Sequence, residues 1–309
     1  MTITRVTCEA ALRAYRQRVI EAKPLQDEWE GAMSRRRRLM AVLAHPDDES
    51  LGVGGTLAKY AAEGADVFLL TATRGDGGRY HGHPKGDARH PGALALGNIR
   101  EAELRAAAAA LGVREVSLLD YHDQRLDAAD PREAARLVAM QIRRVRPDVV
   151  ITFGPDGVYG HPDHIAISQF TTAAVVHAGD AAFAAGNDAA AAPPHAVSKL
   201  YYLAWPQSTW DAYQAAVRTL SATVDGVERH AVPWPDWAIT TTIDTSRVWA
   251  TVWDAVSCHA SQLGAYERLR DLPPEHHGTL WGRQSFYRVF STVNGGRTRE
   301  TDLFEGVER

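Results

Sequence analysis

Cysteine is nearly absent from this 309-residue chain: Cys8 and Cys258 are the only two, and neither stands in a CxxC or similar cluster. That excludes a disulfide framework and a thiolate metal site, and it fits a reducing compartment such as the cytoplasm. No apolar run approaches the roughly 20 residues that a membrane span needs, so no membrane segment is expected. Excess positive charge is missing as well. A formal net charge of −4 and a pI near 6.4 leave no overall basic field to hold nucleic acid or an anionic membrane. The one basic run, Arg35 to Arg38, leads into an apolar stretch too short for a signal peptide and reads as a solvated approach to a buried strand. Small-molecule work is left as the starting expectation, in a chain whose 45% hydrophobic content permits a sizeable core.

From Leu39 onward the sequence repeats one rhythm of apolar run, polar stretch and Ala/Leu-rich helix, which means βαβ units and a parallel sheet. Strands are expected at 39–44, 66–72, 115–119, 148–153 and 198–205, and helices at 50–63, 97–112, 131–145, 162–177 and 246–270. Asp130-Pro131 supplies a good N-cap and first-turn pair for the third helix. Trp249, Val252, Trp253 and Val256 share one face of the last helix, the pattern of core packing. The fold class is α/β, a Rossmann-like three-layer sandwich with a mostly parallel sheet and an appended C-terminal part. Residues 1–34 read as an N-terminal helical extension. Residues 35–309 read as a single domain, with a core at 39–205 and a C-terminal portion at 206–309 that completes the pocket. The Ala-rich stretch 178–194 reads as a surface excursion.

Ligands bind open parallel sheets outside the carboxyl ends of the strands, and the unusual chemistry of this chain collects there. His45-Pro46-Asp47-Asp48-Glu49 follows the first strand, Arg74-Gly75-Asp76 the second, Asp120 to Asp123 the third, and Asp156 with His161-Pro162-Asp163-His164 the fourth. Two histidines and an aspartate with one open position make a plausible catalytic zinc site, because Zn²⁺ takes N and O donors. Carboxylates crowded beside histidines are costly without a cation to neutralise them. An acidic helix N-terminus would account for Asp48 and Glu49, but not for His45 or for a second His-Pro-Asp motif at the matching rim.

"AHPDDE" at 44–49, "TRGD" at 73–76, "NIREAEL" at 98–104 and "YGHPDH" at 159–164 together resemble the PIG-L/LmbE-like family of zinc-dependent N-deacetylases. The likeness is strong over roughly 39–180. It extends weakly to "CHASQ" at 258–262, which is similar to a histidine-containing motif of the family's bacterial sugar deacetylases. Asp76 departs from the pattern, since the family usually has Glu there. The resemblance implies Zn²⁺, with Fe²⁺ as the alternative metal, held by His45, Asp48 and His164, and Asp47 as general base. It also implies oxyanion stabilisation by a cationic His161 that Asp163 holds in place, and carbonyl polarisation by Tyr159. Substrate contacts are implied for Arg100 and Asp123, with Arg74 and His259 at the pocket.

The implied activity is removal of acetyl from an N-acetylglucosamine-type amine in a thiol pathway or a glycosylated natural product. An amidase acting on a thiol conjugate is the enzymatic alternative. A Rossmann-like nucleotide-binding protein is the remote one, with "GVGGT" at 52–56 as a phosphate loop whose spacing is not G-x-G-x-x-G. The expected partner is a small acetylated amino sugar, with no nucleic acid and no membrane, and homo-oligomerisation is left open. His81, His83 and His90 fall in a long loop of the kind that often serves as a lid.

Overall fold

The computed structural model describes residues 36–183, 192–217, 221–224, 227–230, 232–264, 269, 271–296 and 298–308. The expected helical extension at 1–34 and residues 184–191 of the Ala-rich excursion lie outside them. Five parallel strands form the body of one sheet: β1 (Arg38–Leu43), β2 (Asp66–Thr73), β3 (Glu115–Tyr121), β4 (Val149–Phe153) and β5 (Lys199–Leu203). Every residue of β2 and β4 is buried, as continuous apolar strands must be when helices cover both faces.

The helices along this body are α1 (Asp48–Leu51), α2 (Gly54–Ala62), α3 (Ala93–Ala110), α4 (Pro131–Val145) and α5 (Pro162–Gly179). The single helix expected at 50–63 is in fact two, broken at Gly52-Val53, and it begins earlier, so that Asp48 and Glu49 occupy a first turn. At α4 the Asp130 side chain accepts from the N–H groups of Arg132 and Glu133, with Pro131 in the first turn, as its sequence foretells. α4 and α5 pack together, while α2 and α3 pack with α7 (Trp249–Cys258), counting α6 (Gln207–Val217) between them.

The C-terminal portion joins the same sheet. A small antiparallel hairpin, β6 (Ser221–Val224) with β7 (Val227–His230), stands apart, whereas β9 (Arg283–Ser291) extends the main sheet antiparallel to β5, and β8 (Thr241–Asp244) pairs antiparallel with β9 beyond it. The order is β3-β2-β1-β4-β5-β9-β8, seven strands and mostly parallel. Irregular patterning hid β8 and β9 from the sequence, because each is short or only half covered. The helix expected at 246–270 forms over Trp249–Cys258, while residues 265–268 and 270 of that range lie outside the described residues. The chain turns at His259, and Ser261 bonds Glu103 of α3 through both its N–H and its hydroxyl. Its predicted apolar face does pack: Val252 and Val256 are buried against Trp249, Trp253 and Trp281, Trp281 closing α8 (Pro274–Trp281).

Strand order reverses between β1 and β4, since β2 and β3 lie to one side and β5 to the other. A crevice therefore opens beyond the carboxyl ends of those two strands. His45 follows β1 there, and the 154–164 segment follows β4.

Candidate active site at the strand-order reversal

His45 and His164 meet across this crevice. Nδ1 of His45 lies 3.3 Å from Nε2 of His164, and the Asp48 carboxylate reaches both rings, 3.7 Å from the first and 3.3 Å from the second. The other nitrogen of each ring is already engaged. Nε2 of His45 faces the carboxylates of Asp163 at 3.0 Å and Asp123 at 3.1 Å, so it carries the proton. Nδ1 of His164 donates to the Gly157 carbonyl at 3.2 Å, and the ring stacks on Phe153. When both rings are neutral, as metal binding requires, two lone pairs and a carboxylate converge with no donor among them, a set that a cation satisfies and that without one favours a second proton on His45. Tetrahedral zinc with bonds of about 2.0–2.1 Å places its ligand atoms roughly 3.3 Å apart, and the residues present fit that spacing. Carboxylate support of the far ring nitrogen is also usual for histidines that bind metal. His161 brings a ring nitrogen within 4.8 Å of those of His45 and His164, and His45, Asp123 and Asp163 form a second such group.

Electrostatics follows this crowding. Burial opposes charge on His45, yet Asp123, Asp163 and Asp48 hold its pKa well above the ordinary value. Burial likewise opposes the Asp48 anion, but His164 and His45 keep its carboxyl well below the usual range. His45 offsets burial at Asp123, whose pKa falls to about 2.

Asp47 sits in the left-handed region at φ 107°, ψ −25°. Such a conformation in a non-glycine residue costs about 1–3 kcal/mol and persists only where the surroundings over-determine it. Burial, with the charges of Asp48 and Glu49, raises the Asp47 pKa to about 6 against the opposing pull of Arg100 and His259. That is a carboxylate poised for proton transfer.

Arg100, expected at the substrate, is buried against the strand-end turns. Its guanidinium donates to the carbonyls of Pro46 and Gly75 and to Asp47 Oδ2 at 3.1 Å. This explains the glycine of "TRGD": Gly75 has φ +66°, and a Cβ there would lie 2.2 Å from the Arg100 guanidinium. Arg74 of the same motif is not brought to the cluster, since it pairs with Glu101 and Asp120. Asp76 accepts from the Asp123 N–H and faces His122, so the departure at this position shapes the loop after β3.

Three expectations change. The Asp163 carboxylate does not hold the His161 ring; it faces His45 and accepts from the N–H groups of Gln124 and Leu126, because the N-cap geometry of α5 turns it inward. His161 instead accepts the Asp163 backbone N–H on Nδ1 at 3.2 Å, as the helix cap. Its expected cationic state is also unsupported: burial and the nearby His45 and His164 push its pKa down to about 4. With Nδ1 accepting, the proton of the neutral ring sits on Nε2. Asp123, expected at sugar hydroxyls, has its carboxylate against His45.

Tyr159 lines the pocket beside Asp47, Asp48 and His164, and burial with three nearby carboxylates keeps its hydroxyl protonated. Leu51, Leu203, Trp205 and Leu269 form an apolar wall of that pocket, which no local motif announced. The glycines of "GVGGT" serve packing, since a Cβ on Gly55 would lie 2.8 Å from Thr245 and one on Gly54 3.3 Å from Val252.

Two histidines and a carboxylate with metal-ligand spacing beside a raised-pKa carboxylate, in the switch-point crevice of an α/β sheet, define the class of metal-assisted hydrolases. The chain belongs to the PIG-L family, whose model, described as GlcNAc-PI de-N-acetylase, matches residues 40–175. It is 36% identical to the 1D-myo-inositol 2-acetamido-2-deoxy-α-D-glucopyranoside deacetylase of Kineococcus radiotolerans, over 88% of this chain and 83% of the relative. The protein of the same name from Rhodococcus erythropolis is 38% identical over 88% of this chain and 98% of the relative. Among solved structures, the conserved protein TT1542 of Thermus thermophilus superposes with a TM-score of 0.56 at 26% identity, covering 83% of this chain and 96% of that one.

Proposed function

We propose that this chain is a zinc-dependent N-deacetylase that hydrolyses the acetamide of a 2-acetamido-2-deoxy-glucopyranoside joined to inositol, giving the free amine and acetate. The observation that carries the reading is the convergence of His45, Asp48 and His164 beside Asp47; family membership and the relatives' names support it. His45, Asp48 and His164 would hold the ion, which when bound supplies Lewis-acid activation of water and of the amide carbonyl.

The chain's own residues divide the remaining work. Asp47 accepts the proton of the attacking water on its carboxylate and returns it to the departing amine nitrogen. Arg100 holds that carboxylate at 3.1 Å. His161, through Nε2–H, and the Tyr159 hydroxyl are neutral donors placed to hydrogen-bond the carbonyl oxygen as negative charge develops on it. Asp123 and Asp163 keep the His45 proton on Nε2 and so keep Nδ1 free to bind. Scarce cysteine fits a cytoplasmic setting for this work, and no helix among the described residues is long and apolar enough to cross a membrane.

One observation favours a second reading. The apolar wall of Leu51, Leu203, Trp205 and Leu269 suits an amide with a larger acyl group, as in a thiol-conjugate amidase. Metal analysis of the purified protein, with acid release measured on an acetylated glucosaminyl-inositol and on a bulkier amide, tests both. Zinc-dependent acetate release from the first supports the deacetylase; release only from the second favours the amidase; metal-independent release, or no binding of supplied zinc, overturns the mechanism.

A further inference from the structure

Glu49 follows the proposed base by two residues, is fully buried, and spends its carboxylate on three partners. Oε2 accepts the backbone N–H of Asp47 at 3.0 Å, while Oε1 accepts the Ser50 hydroxyl at 2.6 Å and faces His259 Nε2 at 2.7 Å. His259 comes from 210 positions further along the chain, just beyond the end of α7. Its ring is buried, its backbone N–H donates to the Val256 carbonyl, and the following Ser261 is tied twice to Glu103. Among the described residues no hydrogen bond joins Glu49 or His259 to His45 or His164. The hydrogen bond by which the pair meets the site is the one to Asp47, whose backbone holds a conformation that L residues rarely adopt.

We propose that Glu49 and His259 form a positioning pair for Asp47: His259 clamps the Glu49 carboxylate, and Glu49 clamps the Asp47 N–H, fixing the left-handed turn that aims the base. A carboxylate suits this task because it accepts from Asp47, Ser50 and His259 at once, whereas an amide in its place must turn an NH₂ group against one of those donors. The rigid ring of His259 delivers a single N–H from a fixed backbone position, so the distant "CHASQ" segment acts on catalysis without touching substrate. The kinetic consequence rests on the deacetylase reading above; the clamp itself does not.

The test uses Glu49→Gln, His259→Ala and His259→Gln in the full chain, read by kcat, KM, metal content and hydrogen exchange at the Asp47 amide. Glu49→Gln and His259→Ala should each lower kcat on the order of 10–100-fold, the range for partners that orient a site's primary residues. KM should stay within about threefold and zinc stoichiometric, and His259→Gln, which keeps a donor, should recover part of the loss. The Asp47 amide should exchange slowly in the metal-free wild-type protein and faster in Glu49→Gln. Unchanged kcat in an active enzyme, or a loss explained by missing metal, would overturn the proposal. Fast exchange of the Asp47 amide in the wild type would also overturn it, even if no variant folds. A wild type that releases no acetate would sink the deacetylase reading instead, leaving amide exchange to decide the clamp.

Discussion

Nδ1 of His45 and Nε2 of His164 lie 3.3 Å apart although 119 positions separate the two residues, and the Asp48 carboxylate reaches both rings. Removing the cation that such a pair demands should silence the enzyme. EDTA treatment is expected to bring acetate release to background and added Zn²⁺ to restore it. His164→Ala should lose stoichiometric zinc by elemental analysis; full zinc content in that variant would remove His164 from the ligand set.

Asp47 is assigned to proton transfer and not to metal binding. Asp47→Asn should therefore lower kcat by about 10²–10⁴-fold, the usual worth of a positioned base, with zinc retained. Loss of zinc in this variant would reverse the assignment.

The pH profile carries a definite sign. A base must be ionised to act, so kcat/KM should fall as pH drops through the Asp47 pKa, which burial sets near 6 in the metal-free site. A neighbouring dication favours the anion and moves this acid limb to lower pH. An acid limb well above 6 in the zinc enzyme would contradict the role.

His161 is expected to work as a neutral donor, its pKa lying near 4. His161→Ala should reduce kcat about 100-fold with metal in place, and the wild-type rate should show no basic limb from its deprotonation. An unaffected turnover number would take it out of the oxyanion scheme.

At the opposite end of β5, Glu300 is buried among Lys199, Tyr201, Thr241, Arg288 and Asn294, all bonded to it at 2.7–2.8 Å. Burial opposes its charge, but Lys199 with the other donors depresses its pKa from 4.5 to about 2. A depressed carboxylate contributes stability above its unfolded pKa, and that contribution is lost as pH falls between about 4.5 and about 2. Glu300→Ala, which strands the buried Lys199 cation and takes a partner from half-buried Arg288, should cost about 3–5 kcal/mol at neutral pH. Urea unfolding at pH 7 and at pH 3 checks both; an equal penalty at the two values would refute the linkage.

Much of this was local and therefore readable in the chain. Strand periodicity, the Asp130-Pro131 start and the two His-Pro-Asp motifs depend on residues within a turn or two of each other, which is how Asp48 and Glu49 come to share a first turn. The parallel rhythm placed those motifs at strand ends, and strand ends are where open α/β sheets bind. Even Gly75 was visible as a motif glycine, though not as the floor beneath a guanidinium.

Partner choice across the fold was not readable, because a side chain's neighbour depends on strand order and helix packing and not on spacing. Asp163 could face His161 two residues away in the chain or His45 across the crevice, and the inward cap of α5 settled it. Arg100 had Glu103 one turn along its helix, yet the reversal between β1 and β4 placed Pro46 and Asp47 within its reach. The sequence by itself determined the element types, the strand-end motifs and the kind of chemistry they carry. Only tertiary structure decided which carboxylate meets which imidazole, since burying a charge is tolerable only against the partner that the packed fold supplies.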